Sequence, residues 1–350
     1  MTNAPMATPL ATWIQNLPKL ELHVHLEGSM AVNTVAALSN RHDADTTRIW
    51  PDGLPDRFSF DGFPDFARQF FFGLSLLRTG EDLATITADL AATLASQNVR
   101  YAEITTTAYT HFLERDDRPG MTRAEYRDGL NEGRRRAAEA GVEIGWVIDI
   151  PRDLEMPDQT VTIDYLESAD TPDGLVAIGL GGYEVGFPAE PYAPHFERAI
   201  ALGLRSVPHA GETEGADSVR AAVEQLHADR IGHGVRCLED PTLVEQLVEK
   251  GIMLEVCPTS NDLLQVIETI DDHALPALRA AGLRVCLNTD DPGWFATDMN
   301  TELMIASNHL GVSAIDHLAM QRDALDASFA PDAVRASIAA ELSSVVVADV

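Results

Sequence analysis

Two histidines stand two positions apart in the stretch LELHVHLEGS, residues 20–29. In an extended strand successive side chains alternate between faces. His23 and His25 therefore share a face, with Glu21 and Glu27 in phase, while Leu22, Val24 and Leu26 take the other. Imidazoles and carboxylates on one face of an apolar strand are costly to bury without partners. A metal ion would be such a partner; a solvated face would remove the need for one. Further along, His209-Ala-Gly-Glu212, His233 and Asp290-Asp291 each close a short apolar or β-branched run. Imidazole nitrogens with one carboxylate suit zinc among the common ions, and His23, His25, His209 and Asp290 make up that set. Zinc brings the pKa of a bound water down towards about 7. Attack on an aromatic carbon also needs a proton delivered to a ring nitrogen and another taken from the water. Glu212, three residues past a ligand, is placed for the first task. His233 is suited to orient and deprotonate the water. Asp291 directly follows a ligand, so its side chain is free to face a substrate.

These residues need elements to bring them together. Strand-like runs recur at 20–25, 100–107, 143–150, 175–182, 205–212, 230–234, 252–261 and 284–291. Alanine-rich amphipathic segments lie between them, at 82–97, 123–140, 196–202, 218–228, 242–250 and 275–281. Strand alternating with helix eight times predicts a parallel sheet closed into a (β/α)₈ barrel. An open doubly wound sheet is the rival, weakened by the lack of a GxGxxG after the first strand. Active sites of such barrels sit at the C-terminal ends of the strands. Taken singly, each histidine reads as a structural residue capping a loop. All of them at that one end make a metal site the economical explanation. One domain over 1–350 is expected, with a helical insertion at about 55–80. There Phe63, Phe66, Phe70, Leu74 and Leu77 follow helical spacing, for a helix packed on the barrel or a lid over its mouth. A further helix is expected in the acidic segment 151–174.

The 350 residues carry a formal charge of −30, which argues against nucleic acid or an anionic membrane as partner and suits a small substrate. No apolar run approaches the roughly 20 residues of a membrane helix. The start, MTNAPMATPLATW, lacks the basic and apolar regions of a signal peptide. Three scattered cysteines, Cys237, Cys257 and Cys286, point to a reducing compartment, and the expected location is cytoplasmic. Only Lys19 and Lys250 are lysines, and neither is near 175–182. A two-metal site bridged by a modified lysine at the end of the fourth strand is thus unavailable, and one zinc per chain is expected.

PKLELHVHLEGS, SVPHAGE, RIGHG, EVCPTSN and LNTDDP, in this order between Leu17 and Pro292, resemble the signature blocks of the adenosine deaminase family in the amidohydrolase superfamily. The resemblance implies a zinc barrel that hydrolytically deaminates a 6-aminopurine and releases ammonia. Carried over by position, it implies His23, His25, His209 and Asp290 as zinc ligands and Glu212 as proton donor to purine N1. It makes His233 the residue that handles the water, Asp291 the contact to N7, and the Gly182 amide the contact to N3. A backbone donor there favours a residue without a Cβ. Where vertebrate-type members carry an aspartate that meets the ribose 5′ hydroxyl, this chain has Glu27. Glutamate there, and the run GGYEVGFP, resemble bacterial members, including deaminases of adenine and of aminofutalosine-type nucleosides. Adenosine, with 2′-deoxyadenosine, is the expected substrate because that activity is commonest in the family; adenine and aminofutalosine are the alternatives. A catalytically inactive binding paralogue would be expected to have lost Glu212 or a ligand. A cytidine-deaminase-like enzyme would need the HxE…PCxxC motif, which is absent.

Overall fold

The computed structural model describes residues 8–114, 120–154 and 160–347. Eight strands follow one another in chain order: β1 (Lys19–His25), β2 (Val99–Thr106), β3 (Glu143–Pro151), β4 (Leu175–Gly181), β5 (Arg205–Ala210), β6 (Arg230–His233), β7 (Met253–Val256) and β8 (Arg284–Leu287). Each pairs in parallel with the next. The ring closes where the chain leaving β8 returns to β1. Val24 bridges Asp290, His25 N donates to Asp290 O at 2.8 Å, and Asp290 N donates to His23 O at 3.1 Å. The bonds that close the barrel therefore also set His23, His25 and Asp290 side by side. This is the (β/α)₈ architecture, with the helices on the outside.

Barrel strands are covered on both faces. Every residue of β1 except His25 is buried, so strand phase separates the barrel interior from the helix layer, not core from water. The interior accommodates charge by pairing it. Arg230 reaches Glu255 at 2.5 Å and also Glu103, and Glu103 accepts from Phe329 N at 2.6 Å.

Three strands stop two or more residues sooner than expected. The run 205–212 leaves the sheet at Ala210, because Gly211 turns at φ +69°. The run 252–261 ends as a strand at Val256, and Pro258 opens the helix Pro258–Leu263, where a missing N–H costs nothing. The run 284–291 ends at Leu287 and continues as the closing bridge. Outside the barrel, Thr79 and Asp82 form a capping box for the helix Gly80–Ser96, and Thr122 caps Arg123–Glu139. The insertion forms the helix Gly62–Leu76. Phe66 and Phe70 pack on Phe295 and Trp294, while Phe63, Phe66, Phe70, Phe71 and Leu74 line the cleft. In the acidic segment the helix is Val161–Leu166; residues 155–159 lie outside the described residues. Among the described residues no helix is long and apolar enough to cross a membrane.

Candidate active site

His23 and His25 end β1, His209 ends β5, and Asp290 follows β8. One ligand atom from each lies within 4.8 Å of all the others. His25 Nε2 and His209 Nε2 are 3.1 Å apart, and Asp290 Oδ1 is 3.3 Å from His25 Nε2 and 3.5 Å from His23 Nε2. Their surroundings prepare them to bind a cation. Glu255 Oε2 sits 2.8 Å from His23 Nδ1 and accepts its N–H as a hydrogen bond, which leaves Nε2 as the nitrogen free to take a cation. That Nε2 is buried without a hydrogen-bond partner and faces the cluster. Burial disfavours a charged ring at His23, yet Asp290 and Glu255 outweigh it and raise its pKa to about 10. The site thus calls for positive charge at the point where three imidazoles and one carboxylate converge, and this donor set can hold a metal ion.

The cluster floors a cleft of about 910 Å³, counted to its open mouth. Glu212, His233 and Asp291 line it, as do Glu27 and Gly182. His233 Nε2 is 3.6 Å from Glu212 Oε2 and 3.9 Å from Asp290 Oδ2. Burial lowers the His233 pKa to about 4, so the ring is neutral near pH 7 and keeps a nitrogen lone pair. Burial, with Asp290 and Glu184 nearby, raises Glu212 well above the ordinary carboxylate range. Burial and Asp290 lift Asp291 to about 8. Both shifts favour the protonated, hydrogen-bond-donating form of the carboxyl. His233 (φ 62°) and Asp290 (φ 64°) hold left-handed backbone, a conformation that costs a non-glycine residue about 1–2 kcal/mol. Such strain collects at functional sites. Gly232 makes the crowding possible: a Cβ there would lie 2.7 Å from the His23 ring and 3.2 Å from that of His209. Gly182 is required twice over, by its φ of +88° and by the Asp153 carboxylate that a Cβ would strike.

One expectation needs correcting. Glu27 does not continue the strand beyond His25: Leu26 turns to helical backbone and Glu27 opens a short 3₁₀ turn. Glu27 is only 2 % exposed. Its Oε1 accepts from Thr106 Oγ1 (2.7 Å), Thr107 N (3.2 Å) and His111 Nε2 (2.8 Å). It is a pinned wall of the cleft, not a side chain reaching in from the rim.

Several residues of the site were not legible as such. His111 holds Glu27. Asp149, at the end of β3, lines the cleft and accepts from Thr107 Oγ1 at 2.6 Å. Glu184 is buried and gathers the turn after β5: it accepts from the N–H groups of Gly211 (2.9 Å), Glu212 (2.8 Å) and Thr213 (2.9 Å), and from the Ser218 hydroxyl. Arg152 fixes the His209 carbonyl at 2.6 Å. The one local cue was GGYEVGFP, where Glu184 lies two residues past Gly182.

The family described as Adenosine deaminase matches residues 18–345. An aminodeoxyfutalosine deaminase of Streptomyces avermitilis is 39 % identical over 345 residues, covering 98 % of this chain and 95 % of its own. The crystal structure of an adenine deaminase from Arthrobacter aurescens superposes with a TM-score of 0.84 at 28 % identity, over 93 % of this chain and 98 % of the other. An amidohydrolase from B. ambifaria, solved with bound zinc, gives a TM-score of 0.83 at 25 % identity, over 98 % and 94 % of the two chains. These relatives are named for aminodeoxyfutalosine and adenine, and not for adenosine. The chain belongs to the adenosine deaminase family, as a hydrolase that deaminates an aminopurine at the C–N bond of a cyclic amidine.

Proposed function

We propose that this chain, with one zinc ion held by His23, His25, His209 and Asp290, hydrolytically deaminates a 6-aminopurine nucleoside of the aminodeoxyfutalosine type. The observation that carries the reading is the match between purine acceptors and site donors. The ring offers N1, N3 and N7 as hydrogen-bond acceptors. The cleft offers the Glu212 carboxyl, the Gly182 N–H and the Asp291 carboxyl. The last two grip N3 and N7, and Glu212 delivers its proton to N1 as the C6–O bond forms. His233 takes a proton from the attacking water and passes it to the amine nitrogen; the C6–N bond breaks, ammonia leaves, and the new C6 hydroxyl becomes a carbonyl as its proton returns to the Glu212 carboxylate. Zinc in that donor set supplies Lewis acidity for activating water.

The N9 substituent is inferred from the 39 % identity to the Streptomyces avermitilis enzyme over nearly the whole of both chains. The likeness to the Arthrobacter aurescens enzyme favours adenine as the second reading. Rates on aminodeoxyfutalosine, adenine, adenosine and 2′-deoxyadenosine decide between them. The highest kcat/KM is expected on aminodeoxyfutalosine. A higher value on adenine would sink the nucleoside assignment and leave the deaminase; no turnover of any of the four would sink both.

A further inference from the structure

We propose that His233, Cys257 and Asp290 form a second, inhibitory site for a thiophilic divalent cation of the zinc–cadmium class. The three come from separate elements: His233 ends β6, Cys257 follows β7 and Asp290 follows β8. One ligand atom from each lies within 4.8 Å of the others, and all three residues are buried. Tetrahedral donors on such an ion stand about 3.3–3.8 Å apart, so the trio need close by only about 1 Å.

None of the three donors is committed elsewhere in a way that blocks binding. The His233 ring is 1 % exposed, its Nδ1 has no partner, and its Nε2 meets Glu212 and Asp290 only at 3.6 and 3.9 Å. Those distances are too long for hydrogen bonds. The Asp290 carboxylate divides its oxygens. Oδ1 faces His23 and His25, while Oδ2 faces His233 and is oriented by the Ser260 hydroxyl at 2.7 Å. It can therefore serve both sites, as a bridge. Cys257 Sγ makes one long contact, to Glu255 O at 3.7 Å, and takes no part in the proposed reaction. A thiolate, an imidazole and a carboxylate suit soft or borderline ions and not magnesium or calcium. The ion would enter by the cleft, which His233 and Asp290 line and behind which Cys257 lies. As the metal–sulfur bond forms, the thiol S–H breaks and its proton goes to water. Loss of turnover rests on the role proposed above for His233, whose ring the ion would occupy.

The test is a cadmium titration of the zinc-loaded, dialysed enzyme, reading ultraviolet thiolate-to-cadmium absorption, released zinc and turnover together. The ligands proposed for the catalytic zinc include no cysteine, so exchange there makes no thiolate band. The expected result is a band saturating at about one cadmium per chain, no zinc released, and turnover falling at least tenfold along the same curve. Cys257→Ser should turn over like the parent before cadmium, show no band and resist inhibition. Magnesium should do nothing to either protein. No band in the parent, a band that survives in Cys257→Ser, or zinc released mole for mole would overturn the site. A band that saturates while turnover stays intact would support the site and sink the role given to His233.

Discussion

Glu184 offers a sharp test of how the proton donor is held. Its carboxylate is 2 % exposed and organises residues 211–214 by their own N–H groups, with Gly211 on Oε2 and Glu212 and Thr213 on Oε1. Replacing it by glutamine changes few heavy atoms. The amide oxygen can keep the three bonds made by Oε1, to the N–H groups of Glu212, Thr213 and Glu214. The amide nitrogen then confronts the Gly211 N–H, which is left buried without an acceptor; the Ser218 hydroxyl can rotate and accept instead. An unsatisfied buried donor costs about 1–3 kcal/mol, and at about 1.36 kcal/mol per tenfold a mid-range 2 kcal/mol is about 30-fold in rate. The cost falls on the turn that carries Glu212, so kcat should drop about 30-fold with KM little changed. Gly182, Glu27 and the phenylalanine wall, which bind the substrate in this reading, sit on other elements. Zinc should be retained, because His209 is held in β5 and by Arg152. Steady-state kinetics with zinc analysis on Glu184→Gln reads both. A normal kcat would show that the turn keeps its shape without the carboxylate; zinc lost in proportion to kcat would show that Glu184 supports a ligand and not the donor.

Metal analysis of dialysed, active protein should give about one zinc per chain, and His23→Ala should lose metal and turnover together; a need for two ions for full activity would refute the single-zinc reading. Glu212→Gln should keep its zinc and lose about 10²–10⁴-fold in rate, the usual worth of general acid help, and near-normal turnover would place the proton source elsewhere. His317 tests burial far from the cleft: burial lowers its pKa to about 4, with Nε2 2.8 Å from Ser307 Oγ. Between about 6.5 and about 4 the unfolded chain binds a proton that the fold refuses, so stability is full above about 6.5 and falls as pH drops through that window. Some 2.5 pH units correspond to roughly 3 kcal/mol. Urea unfolding at pH 7 and pH 4.5 should show His317→Gln losing less stability than the parent on acidification; equal losses would mean the ring is not buried neutral.

The residues proposed as ligands were legible because each lies in a short run whose geometry is local. Alternation alone places His23 and His25 on one face, and His209, His233 and Asp290 each close an apolar run of the kind that makes a barrel strand. Their supports were not legible, because a support is defined by register between distant strands. Glu255 touches His23 only because β7 lies next but one to β1 around the barrel, with β8 between them, and nothing in MLEV marks its glutamate as a partner 232 residues away. His111 and Glu27 are 84 residues apart and meet because the chain after β2 folds back over the end of β1. The strand ends were blurred for a different reason: neither Cys257 after Val256 nor Asn288 and Thr289 after Leu287 breaks a strand by itself, and the chain turns only at Pro258, which opens a helix, and at the left-handed Asp290.

The misplaced strand phase at Glu27 changes what its mutation should do. A rim carboxylate would be a free arm, and its loss would touch only the substrate. The observed carboxylate instead takes three donors on Oε1; burial alone would raise its pKa, but the interactions with His111 and Thr106 outweigh burial and leave it below the ordinary value. Glu27→Ala therefore strands buried donors from Thr106, Thr107 and His111 as well as removing a substrate contact. Glu27→Gln is the cleaner change: its amide oxygen can still accept from Thr106 and Thr107, while the charge opposite His111 is gone. If Glu27 meets a hydroxyl on the N9 substituent, Glu27→Gln should lower kcat/KM for the nucleoside at least tenfold, since a hydrogen bond to a charged group is worth about 1.5–3 kcal/mol. Turnover of free adenine, which carries no such hydroxyl, should change much less. Equal losses on both substrates would mean that Glu27 acts by holding the β2 end of the cleft in shape, with His111 as its true partner.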